Sequence, residues 1–406
     1  METYKPQTPE EAREAVSGAL AESVSLEVVG AGSKRDWGRP LDCAALLDMS
    51  AIAGILLYEP GELVISAGAG TPLAEIEAAL AEHGQQLGFE PADYGPLLGG
   101  AADRATLGGV MACNLSGPRR IQAGAARDHF LGFEAIGGRG ESFKGGGRVV
   151  KNVTGFDMAK LLCGSFGTLA ILTSITLKAV PAPEEARTIL VSGLSGEEAI
   201  AVLIRALGSP FDPSGAAHLP ESVAGASLVP TVARAGSPLT ALRIEGHAPS
   251  VAARADGLCA LLKGDGRIDQ LRGEETHRFW REVRDVLPFA RRLETQLWRL
   301  SVPPAAGARV AGEILREVEG ELFHDWGGGL IWLSIEPEED AAQGSVRRAM
   351  EPCGGHAPLV RASREVRAKV SVFQPQPAGV HRLTARIKEN FDPRAMLNPG
   401  RMFEDL

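Results

Sequence analysis

Residues 145–177 read GGGRVVKNVTGFDMAKLLCGSFGTLAILTSITL, and no other stretch constrains the fold so tightly. Six glycines, Gly145, Gly146, Gly147, Gly155, Gly164 and Gly167, lead into a β-branched run of Ile171, Thr173, Ile175 and Thr176 that spells a strand. A glycine either permits positive φ or lets a bulky group come close to the backbone. Glycines this dense beside an apolar strand describe a backbone built to be touched by something large.

The totals narrow what that could be. At 406 residues the chain is too long for one hydrophobic core, so two domains or three are expected. A formal charge of −9 argues against a nucleic-acid partner, because phosphate binding needs a basic surface. The opening METYKPQTPEEAREAV is polar and acidic, without the apolar core of a signal peptide. No window approaches the roughly 18 apolar residues of a spanning helix. The expectation is a cytoplasmic protein with no direct membrane insertion, able to reach a membrane only through partners. Cys43, Cys113, Cys163, Cys259 and Cys353 are scattered, with no CxxC pair, so they read as buried small apolar residues rather than metal or cluster ligands. The eight histidines form no HxH and no i, i+4 pair, and no GxSxG elbow is present. No metal site is expected, and the residues alone assign no catalytic group.

Along the chain, Thr8-Pro9-Glu10-Glu11 is a helix start with a capping box. Leu26, Glu27, Val28 and Val29 alternate as a short strand that runs straight into Gly30-Ala31-Gly32-Ser33-Lys34. A second strand over 63–66 ends in Gly68-Ala69-Gly70, and residues 97–117 are almost all small, with weak helical periodicity. Pro181-Ala182-Pro183 marks a domain boundary. Beyond it, strand 297–302, helix 305–318, strands 321–325 and 330–335, helix 340–350 and strand 356–361 give β-α-β-β-α-β, the split-βαβ or ferredoxin-like unit on an antiparallel sheet. An amphipathic helix over 380–390 precedes a tail, 391–401, in which Pro393, Pro399 and Gly400 fix the position of Asn398. The fold class expected is α+β.

Three small-residue clusters lie in the first half. Gly30, Ala31, Gly32, Ser33 and Lys34 follow a strand, and consecutive small residues can turn several backbone N–H groups toward a pyrophosphate. The loop is neither GxGxxG, since position 35 is Arg35, nor a Walker loop, and alone it reads better as a tight turn. The second cluster holds Thr106, Leu107, Gly108 and Gly109, then Asn114, Ser116 and Gly117. The third holds Asn152, Thr154, Gly155, Asp157, Gly164 and Gly167, with Ile171 just beyond. Together they describe one extended cofactor laid across several loops.

The three clusters resemble the vanillyl-alcohol oxidase, or PCMH-type, flavoproteins. The resemblance rests on GAGSK at 30–34, on ATLGG with Asn-Leu-Ser-Gly downstream over 105–117, on KNVTGFDMAKLLCGSFGTL at 151–169, and on Asp392-Pro393 with Asn398-Pro399-Gly400. It implies a two-part FAD-binding domain over 1–180 and 375–406, with a ferredoxin-like cap domain over 184–372. It implies noncovalent FAD, since no His or Cys lies within 30–34 for covalent attachment. On the same resemblance the 30–34 backbone meets the pyrophosphate, Gly167 and Ile171 pack on the adenosine end, and Asn398 approaches the flavin ring.

Within the family, GAGSKRDWG at 30–38, KNVTGFDMAKLLCGSFGTL and Asp325-Trp326-Gly327-Gly328 are similar to the FAD-binding subunits of bacterial glycolate oxidases. Those subunits work beside a catalytic flavoprotein subunit and an iron–sulfur subunit. The catalytic 2-hydroxy-acid dehydrogenases of the family carry H-x-G-x-G-N-x-H in the cap. Here Asp325 and Trp332 stand at its two histidine positions, and no E-H-G follows in that part of the chain. Three readings follow: a flavoprotein subunit of a glycolate-oxidising complex, a self-sufficient FAD-dependent oxidoreductase using cap groups such as Arg361 or His381, and a non-catalytic structural subunit.

Overall fold

The structure, a computed structural model, describes residues 2–149 and 155–406. Its backbone contacts divide into two units. The first is assembled from Met1–Ser116, Ala125–Pro181 and Pro375–Leu406; the second from Gly117–Gly124 and Ala182–Gln374.

In the first unit, helix Pro9–Glu22 starts as its sequence dictates. The Thr8 hydroxyl accepts the Glu11 N–H at 3.1 Å, and the Glu11 carboxylate accepts the Gln7 N–H at 2.7 Å. Its Ala12, Val16 and Ala19 pack on a small parallel sheet in which Ala45–Asp48 lies between Glu2–Tyr4 and Leu26–Val29. Leu26 and Leu47 share this core with Ile171 and with Leu397 of the tail. Leucines buried this completely contribute roughly 1.5–3 kcal/mol each, so the chain's end is part of the domain's core rather than an appendage. A five-stranded antiparallel sheet runs Ile55–Glu59, Val64–Gly68, Ala170–Lys178, Phe130–Gly137, Ser142–Gly146. The β-branched run of the opening stretch is its central strand, buried on both sides by neighbours.

The second unit is an eight-stranded antiparallel sheet. Gln296–Ser301, helix Gly307–Leu315, Gly320–Asp325, Leu330–Ile335, helix Gln343–Met350 and Leu359–Arg361 form the β-α-β-β-α-β unit expected from the sequence. Across the sheet its strands stand fourth, first, third, second. The preceding stretch repeats the plan. Glu185–Ser192, helix Gly196–Leu207, Gly215–Leu219, Leu239–Gly246, helix Ala248–Leu261 and Arg267–Arg272 take the same spatial order. Each half buries its own helices in its own cluster of apolar side chains. The halves join edge to edge through Gly215–Leu219 and Gly320–Asp325, in register at His218 and His324. Both imidazoles are buried; burial, with the neighbouring His324, pulls His218 down to about 3, and burial pulls His324 to about 4.

The first repeat was not read from the sequence. Two short helices, Glu221–Gly225 and Pro230–Ala233, interrupt its hairpin and hide the pattern. The small-residue segment around 107 also differs from expectation, since it contains a helix, Leu107–Cys113. Thr106 caps it by accepting the Gly109 N–H at 3.3 Å, and Val110 and Met111 are its buried face.

Candidate functional site

The strand Leu26–Val29 ends at the floor of a cleft of about 880 Å³ that opens to solvent. Its walls come from the loop at 30–37, from Gly108, Gly109, Ala112 and Cys113 of the capped helix, from Ser165, Phe166 and Gly167, from the first residues of strand Ala170–Lys178, and from Asn398 and Arg401 of the tail. All of these residues belong to the first unit.

The loop is shaped for an anion. Arg35 N–H donates to Gly32 O at 3.0 Å and Trp37 N–H to Lys34 O at 3.1 Å, closing two turns. The backbone N–H groups of Ala31, Gly32, Ser33 and Lys34 donate to no other group among the described residues. A run of free N–H groups after a strand is an anion-binding concavity. Gly32 sits at φ +76 with open space where a side chain would project, a conformation that glycine adopts without cost. Gly30 is demanded by close approach instead, because a Cβ there would lie 2.3 Å from Thr106 Oγ1.

Charge agrees with shape. Lys34 reaches back to Ser33 Oγ at 2.9 Å and packs beside Gly109; burial of its ammonium lowers its pKa, against the pull of Cys113 and Asp93. An anion in the cleft would relieve that cost. Glu27, on the strand, is buried yet ionised. Burial pushes its pKa up, but the hydrogen bonds and charges of Arg35 and Arg401 bring it below the ordinary value. Arg35 grips it with Nε at 2.9 Å and a second nitrogen at 2.5 Å, and Arg401 donates to it at 3.0 Å. One further donor is left over: the indole N–H of Trp37, held edge-on to Phe166 at 5.0 Å, has no acceptor among the described residues.

The sequence-derived site residues divide into those that line the cleft and those that shape it. Gly30, Ala31, Gly32, Ser33, Lys34, Thr106, Gly108, Gly109, Gly167, Ile171 and Asn398 line it. Leu107 is buried behind the wall, with its N–H on Thr71 O at 2.9 Å. Asn114 ends the helix in the left-handed region and accepts the Arg127 N–H at 3.2 Å. Ser116 is buried and accepts the Ala126 N–H at 2.9 Å. Gly117 belongs to the second unit, where its carbonyl accepts the Trp326 indole N–H at 3.1 Å. Asp157 is exposed and caps helix Met158–Leu162 through the Lys160 N–H at 3.1 Å; Gly155 precedes it on the surface. Gly164 borders a separate cavity beneath the tail. Asn152 and Thr154 lie outside the described residues.

Asn398 lines the cleft and also has a structural task. Its Oδ1 accepts the Val28 N–H at 2.8 Å and its Nδ2 donates to Phe166 O at 2.8 Å. The amide is spent stapling two walls together. Trp37, Phe166, Cys113 and Arg401 were not singled out from the sequence, although Trp37 sits within the 30–38 motif and Arg401 directly follows Pro399-Gly400.

In the second unit, Asp325 is buried and its Oδ1 accepts the Trp326 N–H at 2.7 Å, while Trp332 is buried within its strand. Arg361, named above as a catalytic alternative, gives its donors to Thr295 O at 3.0 Å, Phe289 O at 2.9 Å and Arg292 O at 2.8 Å, so it holds a loop. His381 pairs with Asp405 at 2.8 Å in the first unit. Among the described residues no group of three or more His, Cys, Asp or Glu is placed to hold a metal ion, and no helix is long and apolar enough to cross a membrane.

Comparison with known proteins bears on this geometry. Residues 3–146 match the family described as "FAD binding domain". The glycolate oxidase subunit GlcE of Escherichia coli K12 is 34% identical over 394 residues, covering 97% of each chain. The glycolate oxidase subunit GlcD of Bacillus subtilis is 27% identical over 326 residues, covering 74% of this chain and 68% of that one. The solved structure of 4-ethylphenol oxidase from Gulosibacter chungangensis superposes with a TM-score of 0.73 at 14% identity, covering 99% of this chain and 89% of the other. At that identity the likeness speaks to the fold, which is that of the PCMH-type flavoproteins.

Proposed function

Since the chain belongs to the family of glycolate oxidase subunit GlcE, an FAD-binding oxidoreductase family, we propose that it is the FAD-binding subunit of a complex oxidising glycolate to glyoxylate. FAD is its cofactor. One observation carries the placement of that cofactor: four consecutive backbone N–H groups, at Ala31 to Lys34, with no acceptor among the described residues, beside an ammonium that burial has made hungry for an anion. The residues fit the group. The loop and Lys34 would hold the pyrophosphate, Ile171 and Gly167 would offer apolar and backbone surface to the rest of the dinucleotide, and the Trp37 N–H would supply one more donor to it.

When bound, the flavin supplies the redox chemistry of the site, and the protein supplies position and electrostatics. The 30–34 loop and Lys34 would hold the cofactor's phosphates, with the Lys34 ammonium offsetting part of their charge. They do not offer the donor set of a metal-assisted dehydrogenase, because Trp332 cannot ligate a metal and Asp325 already serves the backbone. The reading is therefore of a subunit that binds flavin while a partner of the GlcD kind oxidises the substrate. An iron–sulfur subunit would carry the electrons onward, since among the described residues the cysteines form no cluster that could do so. Action in the cytoplasm, with any membrane association made through those partners, belongs to the same proposal.

The test is to purify the chain alone, record its visible spectrum, and add glycolate without oxygen. A flavin band that does not bleach supports the subunit reading. Bleaching at a useful rate would replace it with a self-sufficient oxidoreductase, and a colourless protein that takes up no FAD would replace it with a structural subunit.

A further inference from the structure

The dinucleotide loop does not hold its own shape. Beyond Lys34 it turns out to Arg39, and the group at its centre is Arg401 of the C-terminal tail, 5% exposed. One terminal nitrogen, Nη1, donates to Arg35 O at 2.9 Å and lies 3.4 Å from both Trp37 O and Arg39 O. The other, Nη2, donates to Glu27 Oε1 at 3.0 Å, on the strand that feeds the loop. The contact is returned by the backbone, for the Arg39 N–H donates to Arg401 O at 2.9 Å. Gly38 lies so close that a Cβ would stand 2.5 Å from Arg401 Cδ. Three carbonyls from alternate residues of one loop converge on one terminal nitrogen while the other nitrogen holds Glu27, a two-ended reach that the planar fork of arginine provides and the single ammonium of a lysine does not.

We propose that Arg401 is the positioning residue of the FAD loop, so that cofactor binding and docking of the C-terminal tail are one coupled event. The inference rests on the assignment of FAD to this cleft. Arg401 acts through the loop: with the tail docked, the carbonyls of Arg35, Trp37 and Arg39 are turned to the guanidinium, while Ala31 to Lys34 line the cleft with N–H groups that donate to no other described residue. With the tail away, Glu27 keeps only Arg35, and the loop loses the group that organises its carbonyls. Coupling is reciprocal, so bound FAD must in turn hold the tail down.

The experiment uses the full chain and amide hydrogen exchange with and without FAD, together with FAD titrations of wild type, Arg401→Met, Arg401→Lys and Glu27→Gln. In the wild type, FAD should slow exchange in residues 32–39 and in residues 396–401 together. Arg401→Met should weaken FAD binding roughly tenfold to a hundredfold, the usual span of such coupling, and Arg401→Lys should recover little of it. Combining Arg401→Met with Glu27→Gln should cost less than the two separate losses multiplied. If Arg401→Met does not fold, the wild-type exchange experiment still decides. Tail exchange indifferent to FAD, or FAD affinity untouched in Arg401→Met, would overturn the proposal. A wild type that binds no FAD would instead overturn the assignment on which it rests.

Discussion

Replacing Asn398 by alanine removes two hydrogen bonds at once, each 2.8 Å long in the structure. The Val28 N–H and the Phe166 carbonyl are both left without their partner at a partly buried seam. Losing the partner of such a backbone group costs about 1–3 kcal/mol, so the two losses should cost roughly 2–6 kcal/mol. Asn398 also stands at φ +44, where asparagine is better tolerated than alanine, and this adds to the loss. For domains of 150–250 residues each kcal/mol moves the melting temperature by about 2–4 °C; the first unit should therefore melt at least ~4 °C lower. Val28 and Phe166 are both walls of the cleft, so FAD affinity should fall in the same variant. Asn398→Asp keeps an acceptor for Val28 but turns an acceptor toward the Phe166 carbonyl, and should lie between wild type and alanine. Thermal melts and flavin-fluorescence titrations of the apoprotein read both effects. An Asn398→Ala protein with an unchanged melting temperature and unchanged FAD affinity would show that the staple is not what joins these walls.

Two other expectations come from buried charge. Lys388 and Asp392 form an almost wholly buried pair at 2.6 Å, and Lys388 also donates to Thr168 O at 2.7 Å and Leu397 O at 2.9 Å. Lys388→Met leaves the Asp392 carboxylate buried without its counter-charge and should destabilise the tail by about 3–5 kcal/mol, measured by urea denaturation; a loss under 1 kcal/mol would contradict it. His218 and His324 are held neutral, with pKa values of about 3 and about 4 against 6.5 when exposed. The unfolded chain thus binds protons that the folded one refuses, so their contribution to stability is complete above pH 6.5 and is lost as pH falls toward 4. Each should cost about 2 kcal/mol by pH 5, and His324→Phe should flatten the melting-temperature profile between pH 7 and 5; an unaltered slope would refute the buried-neutral assignment.

Much of this could be read in advance because local chemistry and fold agree. The run Leu26-Glu27-Val28-Val29 into Gly30-Ala31-Gly32-Ser33-Lys34 is a strand that stops at a loop, and the structure puts both where the pattern does. The second repeat of the antiparallel sheet was equally clear, since its hairpin is closed by the short turn at Trp326–Gly328. What was hidden depends on contacts between residues far apart in the chain. The staple of Asn398 spans 370 positions to Val28, and the clamp of Arg401 spans 366 to Arg35. Neither has a local signature, for Pro399-Gly400 reveals a turn but not what it faces. In the same way, Asn114, Ser116 and Asp157 have structural partners that the sequence did not reveal. Small polar residues suit a phosphate and a helix end alike, and only the structure shows that these three cap or buttress backbone.

The most direct test of the central claim is an equilibrium FAD titration of wild-type apoprotein beside Gly32→Asp. In the structure a side chain at Gly32 would meet nothing within 4 Å, and Gly32 lines the cleft, so the variant's carboxylate would bring negative charge beside the place proposed for the pyrophosphate without disturbing the packing. Its φ of +76 adds a modest strain that aspartate tolerates better than most residues. The account predicts one FAD per chain for the wild type and none for a folded Gly32→Asp protein. Full FAD binding by Gly32→Asp would contradict it.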